Sequence, residues 1–209
     1  MSEVIEISTF TLQPPLPSPP PTLLSSLKLL SSAPGLVALH WGPHAESPTT
    51  LTYVARWSSD ESRQAFFHTR SPSWHSSFSE HLSSLVVLES SASPQDAVPA
   101  LEAPCTEIFV SYGAENDFLE KRLQPFVQAV TGANPPGLVG AYAGEFVAVR
   151  QFGVPPPKPK IAVMLLGWNS REDHDAQKQE GKVIANNIHL IRSGRESASG
   201  FHVNFTKRV

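Results

Sequence analysis

Eight histidines are the residues of this chain best suited to chemistry at neutral pH, because imidazole gains and loses protons there. Three of them stand in patterns that indicate a general base. His75 lies in the turn PSWHSSF, His68 ends the predicted helix SSDESRQAFFHT, and His40 lies within the predicted strand LVALHWG. Each also has a structural explanation, as an exposed, a helix-terminal or a buried histidine. The patterns predict proton transfer by one histidine, with His75 as the first choice.

Aromatic and arginine side chains on predicted strands are candidates for holding the substrate. They are Tyr53, Arg56, Tyr142, Arg150 and Trp41. An arginine within an apolar strand needs an anionic partner, so Arg56 or Arg150 could stabilise a developing enolate or carboxylate. The structural alternative is an arginine that extends from a strand end into water.

The sequence predicts no metal site and no cofactor. Cys105 is the one cysteine, which leaves no internal disulfide and no cysteine-based metal cluster. His174 and His189 are 15 residues apart on one predicted helix, about 22 Å along its axis, and are too distant to share an ion. The spacing of His40 and His44 crosses a Gly-Pro pair rather than a helix. A haem held by one axial histidine is the alternative.

Length and composition describe an ordinary soluble chain with room for one or two domains. It has 209 residues, 40% of them hydrophobic, and a formal net charge of −3. No basic stripe indicates a nucleic-acid surface, and the apolar runs are too short or too interrupted to span a bilayer. The N-terminus MSEVIEISTF lacks the features of a secretory signal. We therefore expect a cytoplasmic protein that binds neither nucleic acid nor membranes.

Hydrophobic periodicity predicts the same order of elements in each half, β-α-β-β-α-β. In the first half the strands are expected in 3–12, 36–42, 51–57 and 85–90, with helices in 22–32 and from 58 onward. In the second half the strands are expected in 106–114, 138–152, 161–168 and 200–208, with helices over 116–132 and 170–191. Proline-rich loops, QPPLPSPPP and VPPPKPK, separate elements in both halves.

Two short matches align the halves. The tetrapeptide Pro-Gly-Leu-Val occurs at 34–37 and again at 136–139, and Trp57 followed by Ser-Ser-Asp-Glu matches Trp168 followed by Asn-Ser-Arg-Glu. Both matches fall at equivalent places in the predicted element order. A duplicated domain explains them better than chance does.

A β-α-β-β-α-β unit forms a four-stranded antiparallel sheet with both helices on one face, which leaves the other face to be covered. We expect an α+β fold of two ferredoxin-like repeats, residues 1–100 and 101–209. Their sheets would pack face to face as an intramolecular dimeric α/β barrel, in a monomer or a homodimer. Tyr142 then takes the strand position of His40, as expected for a cavity wall.

The segment RWSSDESRQAFFHTRSPSWHSSF (56–78) resembles the signature of antibiotic biosynthesis monooxygenase domains, and LGWNSREDHDA (166–176) resembles the matching segment of fungal proteins in the same dimeric α/β-barrel superfamily. The turn around His75 is similar to that of olivetolic-acid-cyclase-type proteins. That resemblance implies a histidine general base in polyketide or related secondary metabolism.

These observations together predict a cofactor-independent enzyme that acts on a hydrophobic, enolisable small molecule. A histidine would remove a proton, and the enolate would cyclise, isomerise or eliminate. Reaction of the same enolate with dioxygen, as in a cofactor-free monooxygenase on an aromatic polyketide, is the alternative. A non-enzymatic carrier or stress-response barrel is the further alternative.

Overall fold

The computed structural model describes residues 3–13, 19–70, 80–90 and 95–207 of the chain. Its strands pair antiparallel and alternate with short helices, which confirms the predicted α+β class. The chain divides into two compact units, residues 1–94, 148–156 and 206–209 in the first, and residues 95–147 and 157–205 in the second. Among the described residues, no helix has both the length and the apolar character needed to cross a membrane.

The first unit is built from a sheet and two helices that pack on one of its faces. Its strands are β1 (Val4–Leu12), β2 (Leu36–Pro43), β3 (Thr50–Trp57), β4 (Leu82–Ser90) and the short β9 (Thr206–Lys207), and its helices are α1 (Pro21–Leu30) and α2 (Asp60–Arg70). The strands lie in the order β4-β1-β3-β2-β9. Leu23 and Leu27 of α1 and Phe66 of α2 share one apolar core with Trp57 of β3. Burial of this amphipathic face stabilises both helices.

The second unit also combines an antiparallel sheet with short helices. Its strands are β5 (Cys105–Tyr112), β6 (Leu138–Phe152), β7 (Ile161–Trp168) and β8 (Ser197–Val203). The end of β6, residues 148–152, belongs to the first unit. The helices of the second unit are α3 (Val98–Leu101), α4 (Gln124–Ala133), α5 (Arg171–Ala176) and α6 (Val183–Asn187), with a π-helical turn at Leu119–Leu123 and 3₁₀ turns at Gln95–Ala97 and Ile188–Ile191. The strands lie in the order β8-β5-β7-β6, and Phe118, Phe126 and Trp168 lie in the core.

Strand order and register are the same in both units. If the four main strands of each unit are numbered along the chain, their spatial order in the sheet is fourth, first, third, second. Trp57 ends β3 opposite Val4 of β1, and Trp168 ends β7 opposite Cys105 of β5. On the other side of each tryptophan, the paired strand shifts register directly after its first residue. Positions in one unit can therefore be matched to positions in the other.

The helix predicted over 170–191 is interrupted. Ser170 Oγ accepts a hydrogen bond from the backbone N–H of Asp173 at the start of α5. The chain then turns through the polar stretch 177–182, where Gly181 has a φ of +79°. That stretch has no apolar residue to hold a helix on the core, and a left-handed glycine ends helices. The chain resumes as α6 and a 3₁₀ turn.

Any side chain at Gly137 is expected to destabilise the fold. Its φ is +86°, and a Cβ there would lie 2.5 Å from Cβ of Asp173. Gly137→Ala should lower the free energy of unfolding by about 1–3 kcal/mol in urea titrations, through backbone strain and this clash. Gly132→Ala is the matched control. It lies in α4 with nothing within 4 Å of the added Cβ, so it should raise stability by roughly 0.5–1 kcal/mol.

Candidate active site beneath the second helix

Three acidic side chains surround one arginine under α2. Glu6 of β1 and Glu89 of β4 lie directly opposite each other in the sheet. Arg63 of α2 reaches between them, with Nη2 at 2.7 Å from Glu89 Oε2 and Nη1 at 3.6 Å from Glu6 Oε2. The same Nη2 lies 2.9 Å from Asp60 Oδ1. Since like charges directly opposite destabilise a sheet, the guanidinium is what holds this cluster together.

Glu6 is the most buried acid of the cluster, with 1% of its surface exposed. Tyr53 Oη donates a 2.5 Å hydrogen bond to Glu6 Oε1, and Ser8 Oγ donates one of 3.3 Å to the same oxygen. The second oxygen, Oε2, accepts no hydrogen bond from the part of the chain that the structure describes. Oε1 is therefore oriented by the protein, while Oε2 faces the guanidinium of Arg63 without a hydrogen bond.

Burial changes the protonation of these groups. It raises the pKa of Glu6, although the hydrogen bond from Tyr53 and the charge of Arg63 oppose the shift. Burial also raises the pKa of Glu89 to about 7, opposed by Arg63 and reinforced by the charge of Asp60. For Tyr53, burial and the charge of Glu6 raise the pKa, so the phenol remains a hydrogen-bond donor. The acid pair therefore retains a proton close to neutral pH.

A cavity of about 370 Å³ opens beside Glu6, and every residue that lines it belongs to the first unit. The lining residues are Glu6, Arg63, Gln64, Phe67, His68, Val87, Val149 and Arg150. A volume of this size suits a small organic molecule. The cavity joins a buried acid, two guanidinium groups and apolar surface, which together could remove a proton from carbon and stabilise the resulting anion.

Two of the residues predicted from the sequence line this cavity, and a third is hydrogen-bonded to a residue that lines it. His68 and Arg150 line it, and both are exposed. Tyr53 lies beneath it, in the hydrogen bond to Glu6. His75, the first choice for a base, lies outside the described residues.

The other predicted residues lie elsewhere. His40 is buried on β2 opposite Val54, and Tyr142 is buried on β6. Arg56 is paired with Glu3, whose Oε2 lies 2.9 Å from its Nη2. Trp41 is partly buried and packs against the apolar core of the first unit. The role of His40 as a base and the roles of the other three in substrate binding stay predictions.

Sequence reasoning missed Glu6, Arg63 and Glu89. A signal for Glu6 was present, because alternation along VIEISTFTL places it on the same face as Val4 and Phe10, where a charge needs a partner. The partner could not be identified locally. Glu89 meets Glu6 only through the pairing of β1 with β4, and Arg63 only through the packing of α2.

A possible set of metal ligands lies in the second unit rather than at this cavity. One donor atom from each of Glu107, His174 and His202 lies within 4.8 Å of the other two. Sequence spacing gave no indication of this group, because its members come from three separate elements.

Comparison with solved structures shows a shared fold. The chain resembles an anthrone oxidase-like protein, with 10% identity, a TM-score of 0.66, and coverage of 100% of this chain and 93% of that chain. It also resembles a "putative monooxygenase" from Lactobacillus acidophilus NCFM, with 13% identity, a TM-score of 0.56, and coverage of 99% and 96%. Chlorite dismutase from Candidatus Nitrospira defluvii matches with 10% identity, a TM-score of 0.55, and coverage of 98% and 91%.

At these identities the likeness establishes the fold and leaves the reaction open. It agrees with the monooxygenase-type fold that the sequence resemblance indicates. No protein-family model matches the sequence, and no curated protein matches it significantly.

Proposed function

We propose that this chain is an enzyme that removes a proton from carbon in a small, largely apolar molecule bound in the cavity of the first unit. The observation that carries the proposal is Glu6, a buried acid that lines the cavity and whose Oε2 accepts no hydrogen bond among the described residues. Burial raises the pKa of this group, and a carboxylate with a raised pKa is a stronger base.

The surrounding groups have matching roles. Tyr53 and Ser8 orient the base through their hydrogen bonds to Oε1. Arg63 and Arg150 line the cavity as cations that would stabilise the enolate oxygen formed when the proton leaves. His68, exposed at the same cavity, would pass the proton to solvent. The sequence predicted a histidine as the general base. If a histidine rather than Glu6 removes the proton, His68 is the candidate that lines the cavity, with His75 and His40 as the alternatives.

The enolate has two productive fates. Cyclisation or isomerisation of a polyketide-like substrate needs no further reagent and is the reaction indicated by the turn around His75. Reaction with dioxygen would make the chain a cofactor-free monooxygenase, and the names of two neighbours in fold favour testing this. A carrier would bind the same molecule and leave its C–H bonds intact.

The architecture proposed with this function is a duplicated ferredoxin-like repeat that closes into an intramolecular α/β barrel. The common strand order and register of the two units support the duplication. The reaction in the first unit would need no cofactor, and the chain would act in the cytoplasm as a monomer or homodimer on a hydrophobic small molecule, without binding nucleic acid or membranes.

Anthrone is the first substrate to test, because its CH₂ group is a weak carbon acid and a neighbour in fold is anthrone oxidase-like. In deuterium oxide without oxygen, the protein should accelerate exchange of the CH₂ protons, followed by NMR. Glu6→Gln keeps the shape of the side chain and an acceptor for Tyr53, yet should slow this exchange by about 10²–10⁴-fold. With oxygen, one anthrone and one O₂ should give one anthraquinone and one water.

Glu80→Gln is the control, because Glu80 is an exposed glutamate of the same unit. This variant should accelerate exchange of the anthrone CH₂ protons as much as the wild type does. If His68→Gln greatly slowed the exchange and Glu6→Gln did not, the general base would be His68 rather than Glu6. Exchange no faster than in buffer, with anthrone bound, would favour the carrier.

A further inference from the structure

The two units differ in chemistry at three matched positions. In the first unit, Glu6 and Glu89 face each other across β1 and β4, and Arg63 lies six residues after Trp57. In the second unit, Glu107 and His202 face each other across β5 and β8, and His174 lies six residues after Trp168. A Glu–Arg–Glu cluster in one unit thus corresponds to a Glu–His–His cluster in the other.

The Glu–His–His cluster is compact and buried. His174 Nδ1 lies 2.6 Å from His202 Nε2, and His174 Nε2 lies 3.2 Å from Glu107 Oε2. Both histidines are nearly inaccessible, with 1% and 4% of their surface exposed. Trp168 stacks on the ring of His174 at 5.2 Å and fixes its orientation. The three donor groups are therefore held in place before any ligand arrives.

We propose that Glu107, His174 and His202 bind one divalent transition-metal ion of the zinc class. Two imidazoles and one carboxylate form a ligand set that zinc uses in open sites, and they also suit ferrous iron. One donor atom of each residue already lies within 4.8 Å of the others. In a tetrahedral site, two nitrogens at about 2.0–2.1 Å from one ion lie about 3.3 Å apart. The 2.6 Å between His174 Nδ1 and His202 Nε2 would therefore widen by about 0.7 Å when the ion binds.

The matched cluster of the first unit holds a cation at the corresponding place. In the first unit, the guanidinium of Arg63 lies between the two glutamates and balances them. In the second unit, the ring of His174 lies between Glu107 and His202 at the place of that guanidinium. Lys178 is paired with Asp175 at 2.9 Å. A bound ion would take the role that the arginine has in the first unit.

The ion would have room for an exchangeable ligand. A cavity of about 310 Å³ touches both Glu107 and His174, and its remaining walls are largely apolar, among them Phe126, Met164 and Ile184. Three protein ligands leave at least one coordination position of a tetrahedral ion, which water or a small molecule could fill. The second unit would thus hold a metal centre that opens onto an apolar pocket.

The test uses the full chain, treated with a chelator and dialysed, then titrated with Co²⁺ and Zn²⁺. We expect one equivalent of Co²⁺ per chain with ligand-field bands in the visible spectrum, displaced by one equivalent of Zn²⁺. His174→Arg should weaken Zn²⁺ binding by at least about 100-fold. This variant copies the residue at the matched position of the first unit, so it is expected to fold, which circular dichroism checks.

Two more variants complete the test. Glu107→Gln should weaken binding similarly, whereas His189→Gln should not, because His189 is exposed and bonds to the backbone of Asn186. Equal Co²⁺ binding by wild type and a folded His174→Arg would overturn the proposal. The short contact between His174 and His202 would then be explained by a hydrogen bond between the two rings. Loss of binding in His189→Gln would also overturn it, by moving the ion to the surface. Glu6→Gln leaves all three ligands unchanged, so the proposed reaction can fail while this proposal holds.

Discussion

Replacing Arg63 with methionine should lower the free energy of unfolding at pH 7 by about 3–5 kcal/mol, measured by urea titration. Methionine keeps much of the side-chain volume but leaves Glu6, Glu89 and Asp60 without the cation that lies within 3.6 Å of each. Burial makes the charged forms of both glutamates expensive. Removal of one partner from a buried charge cluster therefore lowers the free energy of unfolding much more than removal of one partner from a surface pair.

The pH dependence separates this electrostatic cause from lost packing. At pH 4 the two glutamates, whose pKa values are raised, bind protons in the folded chain, so the loss caused by Arg63→Met should shrink. Lys121→Met is the control. Lys121 forms an exposed pair with Asp117 at 2.6 Å, and its removal should lower the free energy of unfolding by less than about 1 kcal/mol. An equal loss for Arg63→Met at pH 4 and pH 7 would show that packing, not charge, determines the effect.

The second large effect is expected at Trp57. Trp57→Ala should lower the free energy of unfolding by about 3–5 kcal/mol, because it empties a fully buried site. The indole packs on Phe66 and Phe67 of α2, with ring centroids 5.8 and 6.2 Å away. Since α2 also carries Arg63 and His68, the substitution should loosen the cavity as well as the core. Weaker ligand binding should accompany the loss of stability.

Two comparisons test this explanation. Trp57→Phe retains an aromatic ring and should lower the free energy of unfolding much less than Trp57→Ala. Phe152→Ala removes an aromatic ring that is 41% exposed, so it should change the free energy of unfolding by less than about 1 kcal/mol. If Phe152→Ala were as harmful as Trp57→Ala, burial would not explain the difference.

Local patterns were sufficient for most strands. Alternation and β-branched residues predicted a strand over 3–12 and the long one over 138–152, and the structure has β1 at Val4–Leu12 and β6 at Leu138–Phe152. They were insufficient for 170–191, where residues 177–182 offer no apolar side chain that could hold a helix on the core.

The candidate site was predictable only in its outer part. His68 and Arg150 were selected because their residue types suggest chemistry, and both line the cavity. The acid pair beneath them depends on a register in which Glu6 meets Glu89, more than eighty residues later. No local pattern contains that pairing. The same reason hid Glu107 and His202, which meet across β5 and β8.

Burial of His44 and burial of Glu89 have opposite effects on how the stability of the first unit depends on pH. Burial lowers the pKa of His44 to about 4, so between that value and its usual 6.5 the unfolded chain takes up a proton that the folded chain refuses. Acidification through this range therefore penalises folding. Glu89, with its pKa raised to about 7, keeps a proton that the unfolded chain releases above about 4.5, so rising pH penalises folding. Between about pH 4.5 and 6.5 the two slopes have opposite sign and similar size. The protons that His44 and Glu89 exchange on folding should therefore nearly cancel in weakly acidic solvent, which leaves Glu6, whose pKa burial also raises, to retain a proton on folding.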